Sequence, residues 1–202
     1  MRNDIVIENA TLKEFLMDLV KNLGRGEVSN ASAITKRIYQ FYRYLTNFNF
    51  PGKSRKNTEH HYDIGGERGE KLYDIFLDTK HRLYSCAYWK EATKTLEEAQ
   101  QNKIDHIVKK LDIKNGQKVL EVGCGWGGMA FEIAKKKNCE VTGISLSKNQ
   151  IKYCKEKAKE IGLDNQVKFQ LIDYREAKGN YDRIYSVGMF EHVGKKFYNT
   201  FF

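Results

Sequence analysis

The chain has one proline in 202 residues and only 16 glycines, so it is neither collagen-like nor a proline-rich low-complexity polypeptide. No apolar run approaches the roughly 18 to 20 residues a bilayer crossing needs, and the polar start MRNDIVIENA lacks a signal-peptide core. Neither a membrane span nor an export signal is expected. The four cysteines, Cys86, Cys124, Cys139 and Cys154, include no CxxC pair, which argues against a disulfide framework or a zinc site and fits a reducing cytoplasm. His60, His61, His81 and His106 show no ligand spacing either, so no metal is expected. Acidic residues are the minority, 26 against 35 lysines and arginines, and the net charge of +9 attracts anionic partners without choosing between nucleic acid, lipid headgroups and acidic cofactors. What is present is a globular composition, with 41% hydrophobic and 12% aromatic residues, enough for one domain or one domain with an appendage.

Leu12, Phe15, Leu16, Leu19, Val20 and Leu23 recur at helical spacing and predict a short amphipathic helix over residues 11–23. Gly24 and Gly26 interrupt it. A second, basic and aromatic helix is predicted over roughly 31–46, and the six aromatics of residues 39–50 fit a packing face somewhat better than a membrane-interface surface. The only proline opens the polar stretch 51–60, which reads as a linker. The domain boundary is placed near Lys56, giving a helical appendage and linker over 1–55 and a main domain over 56–202. In the main domain the pattern predicts a helix over 96–111, a buried strand over 118–122, and a helix over 127–137. A strand over 139–145, a helix opened by Ser147 over 147–161, and strands over 167–172 and 182–187 follow. This alternation implies an α/β fold with a doubly wound parallel sheet and right-handed crossovers.

The stretch Glu121-Val-Gly-Cys-Gly-Trp-Gly-Gly128 lies between a predicted strand and a predicted helix, where glycines let the backbone approach a ligand closely. Gly123, Gly125 and Gly128 match the dinucleotide GxGxxG spacing. Glu121, Gly123, Gly125 and Gly127 match the acid-x-Gly-x-Gly-x-Gly pattern of S-adenosylmethionine (SAM) methyltransferases equally well. A carboxylate one residue from the strand end opposes a pyrophosphate and favours a ligand carrying an ammonium and hydroxyls. The ribose-binding acid that a dinucleotide site carries about 20 residues on is missing, since the second strand runs into Ile144-Ser-Leu-Ser-Lys-Asn-Gln150. SAM is therefore the better-supported ligand.

The stretches His61-Tyr-Asp63, Leu83-Tyr-Ser-Cys-Ala-Tyr-Trp89, Val119–Gly128, Ser147-Lys-Asn-Gln150, Asp173-Tyr-Arg175 and Ser186-Val-Gly-Met-Phe-Glu-His-Val-Gly194 together resemble the cyclopropane-fatty-acyl-phospholipid synthase family, which includes the mycolic acid cyclopropane synthases. The resemblance covers about residues 58–202; the glycine loop is shared by many methyltransferases, whereas YSCAYW before it and GMFEHVG after it are specific. It implies a Rossmann-like SAM methyltransferase sheet and methylene transfer from SAM to the cis double bond of unsaturated phospholipid acyl chains at the membrane surface. Tyr84 and Ser85 would then bind the methionine end of SAM over Glu121, Gly123, Gly125 and Gly127. Ser145 and Gln150 would lie by the ribose and amino-acid portion, and Asp173, Tyr174 and Arg175 by the adenine. It also implies a bicarbonate held by Cys86, the backbone at Val187, Glu191 and His192. The chemistry explains the need for one, because an alkene attacking a sulfonium methyl leaves a cation that must lose a proton before the ring closes. Taken singly, His192 and Glu191 read as solvated residues and Cys86 as a small packing residue; only the surrounding motifs lift them.

The family's chains run on well past the Glu191–Gly194 segment, adding strands and a tyrosine, so the resemblance implies that this chain is C-terminally truncated, with an uncovered sheet edge, weak SAM binding and little or no lipid turnover. It also implies a cytoplasmic protein held peripherally on the inner face of the membrane. Rival readings are a methyltransferase making a methyl-branched lipid or methylating a small molecule, an inactive remnant, and a basic nucleic-acid-binding protein, although no nucleic-acid motif accompanies the charge and no nucleic-acid partner is expected.

Overall fold

A computed structural model describes residues 9–24, 37–38, 41–42, 69–194 and 197–202. The chain divides into two compact units, residues 1–48 and 49–202. Within the first, helix α1 spans Leu12–Gly24. Its first turn is closed by a reciprocal pair: the Glu14 amide donates to Thr11 Oγ1 at 3.3 Å, and Glu14 Oε2 accepts from the Thr11 amide at 2.8 Å. The predicted apolar stripe forms, but Leu12, Leu16, Met17 and Val20 stand exposed along it. Of the predicted helix over 31–46 only residues 37–38 and 41–42 are described, all helical; the rest, the boundary near Lys56 and the His61–Asp63 stretch lie outside the described residues.

The second unit carries α2 (Gly69–Phe76), α3 (Leu96–Leu111), β1 (Lys118–Val122), α4 (Gly128–Lys137), β2 (Glu140–Ser145), α5 (Lys148–Glu160), β3 (Val167–Leu171), β4 (Arg183–Tyr185) and a terminal α6 (Tyr198–Phe201). The sequence pattern did not reveal α2. Thr95 and Glu98 cap α3 reciprocally, and Asp112 ends it in a left-handed conformation, so the predicted span holds at both ends. The Ser147 hydroxyl accepts from the Gln150 amide at 3.2 Å and starts α5, as its position before the apolar pattern predicts.

The four strands are parallel in the order β3-β2-β1-β4, with Val119 opposite Val141 and Arg183, and Val141 opposite Val167. The chain winds from β1 outward to β3 and then crosses back to β4, which puts a topological switch point beside β1. Strand alternation sends Val119 into a core with Ile133, Val141, Cys154 and Phe169, while Leu120, Val122 and Ile144 meet Ile172, Tyr174 and Met189 on the other face. Strand β4 is shorter than the predicted 182–187. At Ser186 the chain leaves the sheet, the serine hydroxyl turning back to donate to the Val122 carbonyl at 2.8 Å, and the following residues border the switch point.

Candidate active site

A cleft of about 690 Å³ opens at the C-terminal ends of β1, β2 and β4. Its floor is the turn after β1. Gly123 and Cys124 both donate their amides to the Ile144 carbonyl at 3.0 Å, which pins the turn to the end of β2. Gly125 (φ +52°) follows, and a Cβ there would meet nothing within 4 Å, so the backbone lies open to the cleft. The buried thiols of Cys154 and Cys124 donate to the Gly125 carbonyl from below, at 3.5 and 3.8 Å.

Glu121, on β1, lines the same space and is only 5% exposed. Burial pushes its carboxyl up to about 8, against the opposing pull of the Tyr185 hydroxyl and the Lys103 ammonium. Neither Glu121 Oε2 nor the Tyr185 hydroxyl meets a partner in hydrogen-bonding geometry, and Trp126 Nε1 is buried without one as well. A buried acid at the base of a glycine cradle, with an oxygen that lacks a well-formed hydrogen bond, suits a cationic group arriving from the cleft.

The cleft wall opposite is the segment after α2. Asp78, 2% exposed, accepts from the amides of His81 at 2.6 Å and Leu83 at 2.9 Å, which folds the chain into a tight turn. Burial alone would raise Asp78; those hydrogen bonds and the His81 side chain overcome it and hold the carboxyl below its ordinary range. The turn delivers Tyr84, Ser85 and Cys86 to the cleft. Tyr84 packs edge-on to Tyr73 at 5.5 Å and lies 5.8 Å from Phe76, so α2 supports it.

Most of the residues singled out in the sequence meet in this space, namely Tyr84, Ser85, Cys86, Glu121, Gly123, Gly125, Ser145, Gln150, Asp173, Tyr174, Val187, Glu191 and His192. Ser145 donates to Gln150 Oε1 at 2.9 Å, a buried pair at the end of β2. Glu191 and His192 stand on the 3₁₀ turn Phe190–His192 and are exposed at the mouth, as is Cys86. Two residues do not line the cleft. A Cβ on Gly127 would meet Cys154, Phe131 and Phe169 at 3.0 Å, so that glycine serves packing beneath α4. Arg175 instead pairs with Asp173, which does line the cleft, at 2.7 Å. Burial works to raise Asp173, and its hydrogen bonds from Arg175 outweigh that and hold it low.

Residues the sequence pattern did not flag include Trp126, Met129 and Met189 on the walls and Lys103 and Gln100 behind the Tyr84–Cys86 turn. The last two were legible in principle: they fall with Leu96 and Ile107 on the inward face of α3, where polar residues are out of place. Among the described residues no group of three His, Cys, Asp or Glu could hold a metal ion, and no helix is long and apolar enough to cross a membrane.

The family model for mycolic acid cyclopropane synthetase matches residues 51–202. The chain belongs to that family. Cyclopropane-fatty-acyl-phospholipid synthase of Escherichia coli (strain K12) is 44% identical over 157 residues, covering 77% of this chain and 38% of that protein. A probable fatty acid methyltransferase of Pseudomonas putida is also 44% identical, over 137 residues, covering 67% and 34%. Mycolic acid cyclopropane synthase CmaA1, solved in complex with S-adenosylhomocysteine (SAH) and CTAB, superposes with a TM-score of 0.67 at 34% identity, covering 73% of this chain and 50% of that one. The chain thus spans half or less of the length of these relatives. Their shared architecture accounts for the parallel sheet, which is the cyclopropane synthetase family's Rossmann-like methyltransferase fold.

Proposed function

We propose that the chain is the cofactor-binding part of a SAM-dependent cyclopropane-fatty-acyl-phospholipid synthase, which transfers a methylene to the cis double bond of unsaturated phospholipid acyl chains. The observation that carries this reading is the open glycine turn set over the buried Glu121 carboxyl, which lines the cleft. SAM, when bound, supplies an electrophilic methyl on a sulfonium. Glu121 is suited to neutralise a cationic ammonium, and the Gly123 and Gly125 backbone to admit close approach. The Ser145–Gln150 pair offers hydroxyl and amide groups to polar parts of the ligand, and the Asp173–Arg175 pair anchors Tyr174 beside its base. Tyr84 and Ser85 close the site from above.

Bicarbonate at the mouth belongs to the same proposal and would supply a base. The donor set fits it: the Cys86 thiol, the Val187 amide and the His192 imidazole can donate to its oxygens, and the Glu191 carboxylate can accept its O–H. The net charge of +9 and the exposed stripe of α1 support peripheral docking on an anionic bilayer, where each Lys or Arg near the surface is worth on the order of 1 kcal/mol. A product carrying an open methyl branch is the second reading, favoured by the likeness to a fatty acid methyltransferase.

Calorimetric titration with SAM and SAH tests the cofactor, with heat expected for both; heat with NADH and none with either would overturn the reading. Mass spectrometry of unsaturated phospholipid vesicles after incubation with labelled SAM tests the reaction. Whatever amount of lipid product forms is expected to gain one CH2 and to lose the double bond's reactivity towards bromine or ozone; the same gain in mass with a double bond kept, as in an open branch that sheds its proton, would transfer the assignment to the second reading.

A further inference from the structure

We propose that Lys103 of α3 is a positioning residue that turns the Ser85 hydroxyl into a hydrogen-bond donor for an anionic group in the cleft, the carboxylate of an amino-acid-bearing nucleoside. The inference rests on the reading of the cleft as a SAM site and names how one end of that ligand is held.

Lys103 is 6% exposed, and its ammonium donates to Ser85 Oγ at 2.7 Å and to the Ser85 carbonyl at 3.2 Å. An ammonium has donors only, so the Ser85 oxygen that faces Lys103 must accept. That leaves the serine's own proton to point elsewhere, and Ser85 borders the cleft. One turn of α3 earlier, the Gln100 amide donates to the carbonyls of Leu83 and Ser85, each at 3.2 Å, and brackets Tyr84 from the same helix face. The turn over the cleft is therefore tied down by two buried polar side chains three residues apart.

A packing role alone does not account for the cation. Burying an ammonium carries a desolvation penalty that an apolar side chain of the same length would avoid while filling the same space. Burial lowers Lys103 to about 8, opposed chiefly by the Asp78 carboxylate, so it still carries its proton at pH 7. An ammonium arriving beside Glu121 favours the ionised form of that acid, and the positive field of Lys103 behind Ser85 favours a carboxylate there, a pattern that matches a zwitterion.

The test compares two nucleosides that differ in the amino-acid moiety, SAH and 5′-methylthioadenosine, by calorimetry on the 202-residue chain. Lys103→Met is expected to weaken SAH by about tenfold, the size of a lost charge-assisted hydrogen bond, and to leave methylthioadenosine within about twofold. Ser85→Ala removes the relay atom while leaving Lys103 its bond to the residue 85 carbonyl, and is expected to show the same selectivity, with Lys103→Met adding little in its background. Equal weakening of both nucleosides, or no weakening of SAH, by Ser85→Ala or by a folded Lys103→Met overturns the inference alone. Wild-type protein that takes up neither nucleoside overturns the reading of the cleft and the inference with it. If Lys103→Met does not fold, Ser85→Ala decides the matter by the same comparison.

Discussion

The carbonyl oxygen of His81 occupies the place where a side chain at position 128 would begin: a Cβ on Gly128 would meet it at 1.8 Å. The turn organised by Asp78 thus rests directly on the first residue of α4, and the wall and floor of the cleft touch backbone to backbone. Since neither backbone can move cheaply, Gly128→Ala is expected to cost roughly 1–3 kcal/mol or more of stability and to weaken SAH as the wall lifts. Urea unfolding together with SAH titration measures both. An unchanged midpoint would show that the turn gives way freely.

Arg82 joins the same two parts through its side chain. Its guanidinium lies 4.2 Å from the centre of the Trp126 ring, within the glycine turn, and 4.6 Å from that of Tyr153 on α5, while Nη2 pairs with Asp74 at 2.9 Å. Arg82→Ala is expected to lose about 1–3 kcal/mol in chemical denaturation. Arg82→Lys should recover less than half of that, because a compact ammonium cannot stack on two rings at once. Full recovery by lysine would reduce the contact to a simple charge.

Glu121 makes the ligand-free protein pH-sensitive in a defined direction. Its folded-state value near 8 lies above the ordinary 4.5, so between those values the folded protein holds a proton that the unfolded chain has released. Its contribution is complete below about 4.5 and is lost as pH rises through 8. Relative to Glu121→Gln, the wild-type protein should therefore lose stability steadily from pH 5 to pH 8, measured by unfolding at a series of pH values. Saturating SAH should restore much of the loss at pH 8, since a cation beside the carboxylate removes the reason for its raised value. Parallel pH curves for the two proteins would refute this account.

The exposed stripe of α1 bears on where the protein works. Co-sedimentation with vesicles should show binding to anionic phosphatidylglycerol that falls as salt rises, with weak binding to neutral phosphatidylcholine. Replacing Leu16 and Val20 by serine should reduce the anionic binding several-fold. Equal binding to both vesicle types would count against docking by charge.

Much of the chain's organisation is legible in its amino-acid sequence. The apolar period over Leu96–Leu111, the buried strand Lys118–Val122 and Ser147 ahead of α5 each signal an element by local chemistry, and those elements form. The span of β4 was overestimated because the Ser186 hydroxyl bond to the Val122 carbonyl, a tertiary contact, draws the chain out of the sheet early. Helix α2 went unseen because eight residues supply too little periodicity to distinguish it from a loop.

The one-dimensional pattern determined the glycine turn, the acid beneath it and the succession of strands and helices, since these follow from spacing and from what each residue type permits its own backbone. Only the tertiary structure decided that Gly127 and Gly128 serve packing, that Arg175 supports Asp173 without lining the cleft, and that Gln100 and Lys103 reach across to the Tyr84–Cys86 turn. Those roles depend on which backbone or side chain from a distant part of the chain arrives within a few ångströms, and local spacing carries no record of that approach.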